Sequence, residues 1–532
     1  MNRLRWPLLV VLICLPVAFL ALDWRLPGFG ERASVARPLS VPDGDQEMAW
    51  LHTTTNNTTW ERFVSGWVRV PMAAPELEVD ASKAFLDSTT AVPELVVGMK
   101  GREARLRIRW YKLQNDITAA DWVKALAVRD RAPLAVIGGG SSDRALDLAQ
   151  AMEEARRDWH GAPPALFITT ATADFVAGNA SASGPQPRLV DLYDDRSFRF
   201  CFTNRQMADA VLDFVEQAPD LRPAVFELAG LRSVASTAAA QPLPPRYRPH
   251  VFSVQWNDDP YSTDLHEQFQ KSLLAHVQAR DGNQASFHLS RFDIPFSVGG
   301  YVRPNRHEDE TAKAIAGQIR TLPVQRSLLV LPATTQPARR LLRALVERSP
   351  QIAGRLVVVT GDGIPVNAIL RDGDFAWQAG GLPVPLVLFT HHNPIAWEEP
   401  AERSTAPAGY AFLPPNSTEE AMHFGKMGRV VLAACFPSPE EEAVPNLVGG
   451  LISRSDDIIA RLHARRPALF DANGERLDGT GEFVVVLLPR DDGEPGGATR
   501  LSVWRRGTSK SWKNIGQLPV PLPARTAGAT PP

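Results

Sequence analysis

Cysteine is scarce in this chain: there are three in 532 residues, Cys14, Cys201 and Cys435. Their spacing forms neither a metal-ligand set nor a redox pair, which excludes a zinc ribbon or a dithiol motif. Cys201 and Cys435 lie in apolar runs and read as buried thiols. Charge of one sign is lacking too, with 57 Lys and Arg against 59 Asp and Glu and a formal net charge of -2. Without a basic surplus to neutralise phosphates, a nucleic-acid partner is not expected. No Gly-x-Ser-x-Gly elbow for a hydrolase is present. His391-His392 has no Cys or carboxylate at ligand spacing beside it and reads as a strand end, so no metal and no cofactor are expected.

Long apolar runs are nearly absent, with one exception. Arg3 and Arg5 precede an apolar run over 6–22, about seventeen residues, which fits a short membrane anchor or a signal segment. Residues 19–24 offer no small side chains at the spacing of a cleavage site, so an uncleaved anchor over 1–24 fits better; release to the periplasm after cleavage is the alternative. The two arginines place the N-terminus on the cytoplasmic side and the rest of the chain on the extracytoplasmic face. Residues 25–46, rich in Pro, Gly, Arg and Asp, read as a linker away from the membrane.

The most informative stretch is Pro133-Leu-Ala-Val-Ile-Gly-Gly-Gly-Ser-Ser-Asp-Arg-Ala-Leu146. It reads as a buried strand, a glycine turn, two hydroxyls and a helix. The spacing is not a dinucleotide fingerprint, and no Lys follows as in a phosphate loop. Ser141 or Ser142 caps the helix, whose free N–H groups favour a carboxylate or phosphate. A plain strand–turn–helix with a serine cap is the simpler reading of the same residues.

Short apolar runs alternate with helical stretches along the rest. Strands are expected at 48–52, 106–110, 134–137, 165–169 and 198–202. Helices are expected at 60–70, 119–128 and 145–159. The pattern resumes with strands at 250–255, 327–331, 355–360 and 386–390, and helices at 262–277, 337–348, 419–434 and 455–464. Two late antiparallel strands, 482–488 and 501–505, follow. Such alternation implies parallel sheets with helices on both faces. Polar turns follow the strands at 53–59, 138–142, 169–172, 257–261 and 361–363, and ligands in open α/β sheets sit beyond the carboxyl ends of the strands.

Several segments in order resemble one family. They are Val136-Ile-Gly-Gly-Gly-Ser-Ser142, Phe167-Ile-Thr-Thr-Ala-Thr-Ala173, Ser197-Phe-Arg-Phe-Cys-Phe-Thr203, Val254-Gln-Trp-Asn-Asp-Asp-Pro-Tyr-Ser-Thr-Asp-Leu265, Gly361-Asp-Gly363 and the run from Leu469 to Phe483. Together they are similar to the type I periplasmic binding proteins of the branched-chain amino acid (leucine)-binding group, the substrate-binding proteins of ABC transporters. The resemblance spans about 48–489. It implies an α/β fold of two doubly wound parallel-sheet lobes joined by a three-crossing hinge, here behind an N-terminal hydrophobic anchor. The expected division is 47–204 and 386–465 in the first lobe, 205–385 and 466–510 in the second, and a disordered tail over 511–532.

The resemblance implies a small polar solute such as an amino acid, trapped between the lobes, with no catalysis. Its carboxylate would meet Ser141, Ser142, Thr170 and Thr172. Its ammonium group would meet Tyr261 and Asp362, and Trp60 stands near the place of an aromatic. An ABC permease is the candidate partner. The three glycines of the serine turn, the Thr- and Asn-rich first turn and the long insertions near 177–195 and 222–249 depart from the family pattern. They leave two further readings open: a membrane-anchored sensor or protein-interaction scaffold, and a cleft hydrolase. Among the expected site residues each has a structural alternative: Ser and Thr as caps and strand ends, Asp362 as a turn residue, and Trp60 and Tyr261 as packing residues.

Overall fold

The computed structural model describes residues 36–53, 57–86, 91–175, 187–222, 250–257, 259–281, 287–295, 306–322, 326–348, 352, 354–366, 382–392, 418–437, 446–477, 483–488, 500–507 and 509–519. The expected anchor at 1–24 lies outside the described residues. Among the described residues no helix is long and apolar enough to cross a membrane.

The β-branched and aromatic runs form strands whose alternate side chains enter cores on opposite faces. Strand β1 (Gln46–Thr53) is followed by helices α1 (Asn57–Trp67) and α2 (Val70–Ala73) and strands β2 (Leu77–Asp80), β3 (Glu94–Met99) and β4 (Arg105–Leu113). Then come α3 (Ala119–Ala127), β5 (Ala135–Gly138), α4 (Ser142–Glu154), β6 (Ala165–Ile168) and β7 (Ser197–Arg199). The seven strands lie in the order β2-β3-β4-β1-β5-β6-β7. From β4 to β7 they run parallel, while β3 and β2 are antiparallel to their neighbours. Met48 and Trp50 of β1 enter one core, and Ala49 and Leu51 the other.

The second sheet begins after α5 (Asn204–Gln217). It is built from β8 (His250–Trp256), α6 (Pro260–Asp281), β9 (His288–Ile294), α7 (Arg306–Thr321), β10 (Ser327–Val330), α8 (Thr335–Arg348), β11 (Leu356–Val359) and β12 (Leu386–Thr390). The chain then forms α9 (Thr418–Cys435), β13 (Leu447–Val448), β14 (Leu451–Ile452) and α10 (Ser455–Ala464), and closes with β15 (Phe483–Leu488), β16 (Arg500–Arg506) and β17 (Trp512–Pro519). The order is β17-β16-β15-β12-β11-β10-β8-β9. Here too the faces separate: Leu356 and Val358 enter one core, Val357 and Val359 the other.

The fold is therefore α/β, with two largely parallel sheets each clad by helices on both faces. The connections differ from the expected division in three places. Residues 386–390 were expected in the first lobe, but β12 pairs with β11 and β15 in the second sheet. The chain returns to the first lobe only with α9, which packs on α1. That contact selects glycine: a Cβ on Gly66 would stand 2.3 Å from the Ala421 carbonyl oxygen and 2.6 Å from the Gly425 nitrogen. Removing both side chains lets the helix backbones touch.

The linker expected over 25–46 is tied down across its described part. Tyr111 accepts the Leu39 N–H, Arg109 and Arg129 donate to the Leu39 carbonyl, and Asp45 pairs with Arg107. Arg105, Arg107 and Arg109, which alternate with apolar residues, thus carry the acid partners Glu78, Glu94, Asp45 and Glu47 on one face of β4. The disordered tail expected over 511–532 is likewise corrected at its start. Residues 512–519 form the edge strand β17, with a register shift opposite Val503 and Trp504. Asn and Gly in that strand hide it from a search for β-branched runs.

Candidate functional site

The segment after β6 on the first lobe meets the start of α6 on the second. On the first lobe, β5 ends in three consecutive glycines, each with a packing reason. A Cβ on Gly138 would lie 2.5 Å from Leu148 Cδ2, one on Gly139 (φ +73) 3.0 Å from Ala145 Cβ, and one on Gly140 3.0 Å from His52 Nε2. The turn therefore lets α4 pack close to the sheet and brings neutral His52 beside it, burial pulling its pKa down to about 4.

Ser141 is the N-cap of α4 in extended conformation (φ -150), and its side chain makes no cap hydrogen bond. Its hydroxyl stands half-buried at the helix N-terminus. Ser142 is buried, and its Oγ accepts the Ala173 N–H at 3.2 Å, so it holds the neighbouring turn. In that turn Thr170 Oγ1 donates to the Gly140 carbonyl at 3.2 Å. Thr172 is buried, and its carbonyl accepts from the Asn204 N–H and from Arg199.

On the second lobe, Tyr261 at the start of α6 lies over the turn after β11. Its hydroxyl accepts the Gly363 N–H at 2.9 Å. A Cβ on Gly361 or on Gly363 would lie 2.9 Å from that hydroxyl, so both glycines are needed for the approach. Asp362 sits between them and contacts His391 Nε2 at 2.9 Å; its other carboxyl oxygen is buried with no hydrogen-bond partner. Burial, then the Asp362 charge, pushes the Tyr261 hydroxyl well above its ordinary range, so it stays protonated.

One carboxylate joins the two sets. Asp264, one turn beyond Tyr261 on α6, accepts the N–H groups of Asp174 at 2.8 Å and Phe175 at 3.3 Å, just past the Thr170–Thr172 turn. It also accepts from Asn204, which opens α5 just after the first crossing of the chain between the sheets, residues 200–203. Burial first, and the charge of Asp174 next, raises Asp264 to about 6. The third crossing, between α10 and β15, is anchored beside it by the buried Arg199–Glu475 pair at 2.9 Å. Arg476, next to Glu475 on the third crossing, lies over the ring of Phe202 on the first, its guanidinium carbon 3.8 Å from the centroid.

The structure thus brings Ser141, Ser142, Thr170 and Thr172 together on one lobe, and Tyr261 and Asp362 on the other. Trp60 is corrected to a core residue. It is 1% exposed, stacks on Trp50 and Phe63, and donates its indole N–H to the Ala84 carbonyl at 2.7 Å. With both faces and the polar edge engaged, it has nothing left to offer a solute. Sequence reasoning missed Asp264, His52 and His423. Asp264 follows Tyr261 at helical spacing, which was a usable signal; His423 has no local signal, because its partners are remote in the chain.

His391 and His392 each contact another side chain. His392 Nε2 contacts His423 Nδ1 at 3.0 Å, and His423 Nε2 contacts the Thr169 carbonyl at 2.9 Å. Among the described residues no group of three or more His, Cys, Asp or Glu is placed to hold an ion. Cys201 and Cys435 are both buried free thiols.

The chain resembles substrate-binding proteins of ABC transporters. One is a leucine-binding protein from Thermotoga maritima, at 12% identity over 89% of this chain and 99% of that one, TM-score 0.47. A second is a leucine-, isoleucine-, valine-, threonine- and alanine-binding protein from Brucella ovis in a closed conformation, at 12% identity over 89% and 95%, TM-score 0.48. A third is a solute-binding protein from R. palustris in complex with benzoate, at 13% identity over 90% and 98%, TM-score 0.45. These are likenesses of overall arrangement and say nothing of what this chain binds. No family model and no curated protein matches the sequence.

Proposed function

We propose that this chain is an extracytoplasmic solute-binding protein, not an enzyme, which closes two lobes on a small polar solute such as an amino acid. The observation that carries the reading is the Asp264 bridge. It sets the turn bearing Thr170 and Thr172 against the first turn of α6, which carries Tyr261. Only contacts made in the closed state favour closure, so the solute must touch both lobes.

Ser141, Thr170 and the first N–H groups of α4 are the groups for a carboxylate, at about 1.5–3 kcal/mol for each charge-assisted bond. Asp362, with one buried oxygen lacking a partner, is the acceptor for an ammonium group, and Tyr261 positions it. Ser142 and Thr172 hold the turn rather than the solute. An N-terminal anchor would keep the protein at the membrane, where a permease could receive the solute.

Titration calorimetry of the protein against an amino acid panel tests this. Heat with one member, weakened about tenfold in Ser141→Ala and lost in Asp362→Ala, supports the reading. Silence across amino acids and simple organic acids, or turnover of an ester or amide panel, contradicts it.

A further inference from the structure

Two neutral histidines link the start of the second crossing, just after β12, to the turn after β6 on the first lobe. A carbonyl oxygen can only accept, so His423 Nε2, 2.9 Å from the Thr169 oxygen, carries the ring hydrogen. Its Nδ1 is then an acceptor, and His392 Nε2, at 3.0 Å, must donate to it. His392 Nδ1 is left buried with no partner. His392 is also fixed through its backbone, since Thr390 Oγ1 donates to its carbonyl at 2.7 Å. Both rings are almost fully buried.

We infer that the His392–His423 pair is a proton-sensitive catch between the lobes, which lets α9 part from the second lobe when either ring is protonated. A proton on His423 Nδ1 points at the His392 N–H, and rotating that hydrogen to His392 Nδ1 puts it where no acceptor stands. Either way, a buried cation is left with an unmade hydrogen bond.

The surroundings oppose protonation. Lys426 on α9, Arg476 on the third crossing and His391 all bear on the pair. Burial, then these charges, hold His392 well below the ordinary histidine range and His423 at about 3. The acids nearby are turned elsewhere: Asp362 faces His391, and Glu420 pairs with Arg62. Burial, then the charges of Glu420 and Asp362, raises Glu419 to about 8, so it brings no charge at neutral pH.

The catch regulates the site proposed above and rests on that reading, but it is measured without any solute. If opening wets the rings, the closed-to-open ratio falls up to about tenfold per pH unit below about 6.5 for each histidine. Glu419 and Asp264 titrate in the opposite sense, so the histidine contribution is isolated by comparing variants.

Full-length protein with Cys14→Ser, Val128→Cys and Leu274→Cys would carry a dye pair on exposed positions of the two lobes, the remaining cysteines being buried. His423→Gln keeps a donor for the Thr169 carbonyl and an acceptor for His392, but does not titrate. Transfer efficiency between the dyes is followed from about pH 7.5 to about pH 5. It is expected to shift toward the separated state in the parent and to lose most of that shift in His423→Gln. If His423→Gln melts without cooperativity, His392→Gln gives the same readout. A parent profile flat over this range, or a parent-like profile in the folded glutamine variant, overturns the catch. Solute binding with a flat profile would leave the solute-binding reading standing alone.

Discussion

The Asp264 carboxylate accepts the backbone N–H of Asp174 at 2.8 Å, across the line between the two sheets. An acid on the second lobe therefore holds the turn that follows the first lobe's threonines. Its environment makes it pH-sensitive. Burial and Asp174 raise it from 3.8 to about 6, so the folded state prefers it protonated. Its contribution to stability is fully present below the unfolded value near 4 and is lost as pH rises through about 6. At about 1.4 kcal/mol per pKa unit, the loss is at most about 3 kcal/mol. Asp264→Asn should flatten the urea-unfolding free energy between about pH 4 and 6.5 relative to the parent. An unchanged difference between the two proteins across that window would contradict the assignment.

Ser141 and Ser142 separate solute contact from scaffolding. Ser142→Ala leaves the Ala173 N–H without its partner and should cost about 1–3 kcal/mol of stability. Ser141→Ala removes no hydrogen bond seen in the structure. It should leave the melting temperature nearly unchanged and weaken solute binding about tenfold. The reverse pattern, with Ser141 stabilising and Ser142 silent, would show that the turn is built differently.

Trp60→Ala should destabilise by about 3–5 kcal/mol, as for other buried large aromatics. Trp60→Phe should recover most of that while leaving the Ala84 carbonyl without its donor. A variant that stays stable but loses solute affinity would return Trp60 to the site.

Gly66→Ala brings a Cβ to 2.3 Å from a backbone oxygen of α9 and should cost about 1–3 kcal/mol or more. Gly317→Ala in α7 has nothing within 4 Å and should stabilise by about 0.5–1 kcal/mol. Equal effects in chemical denaturation would argue that α9 does not rest on α1.

Much of the fold was readable because buried parallel strands are continuous apolar runs: Leu386–Thr390 and Phe483–Leu488 stand out without any structure. Leu77–Asp80 and Trp512–Pro519 were not readable, since both are outer strands with polar side chains among the apolar ones. Assigning β12 to the wrong lobe has a physical source. Sheet membership is decided by which strand is next in space, and Leu386 fits either sheet equally well by composition. In the site, the serine turn and the Tyr261 and Asp362 turns were legible from glycine and hydroxyl placement. What ties them together was not, because Asp264 to Asp174 and His423 to Thr169 join residues far apart in the chain.

The central claim is that two lobes close on a small solute. Small-angle X-ray scattering of the protein with and without an amino acid mixture tests it directly. The account predicts a smaller radius of gyration on addition, reversed on dialysis and absent in Asp362→Ala. An unchanged radius, together with no retained solute after gel filtration, would contradict it.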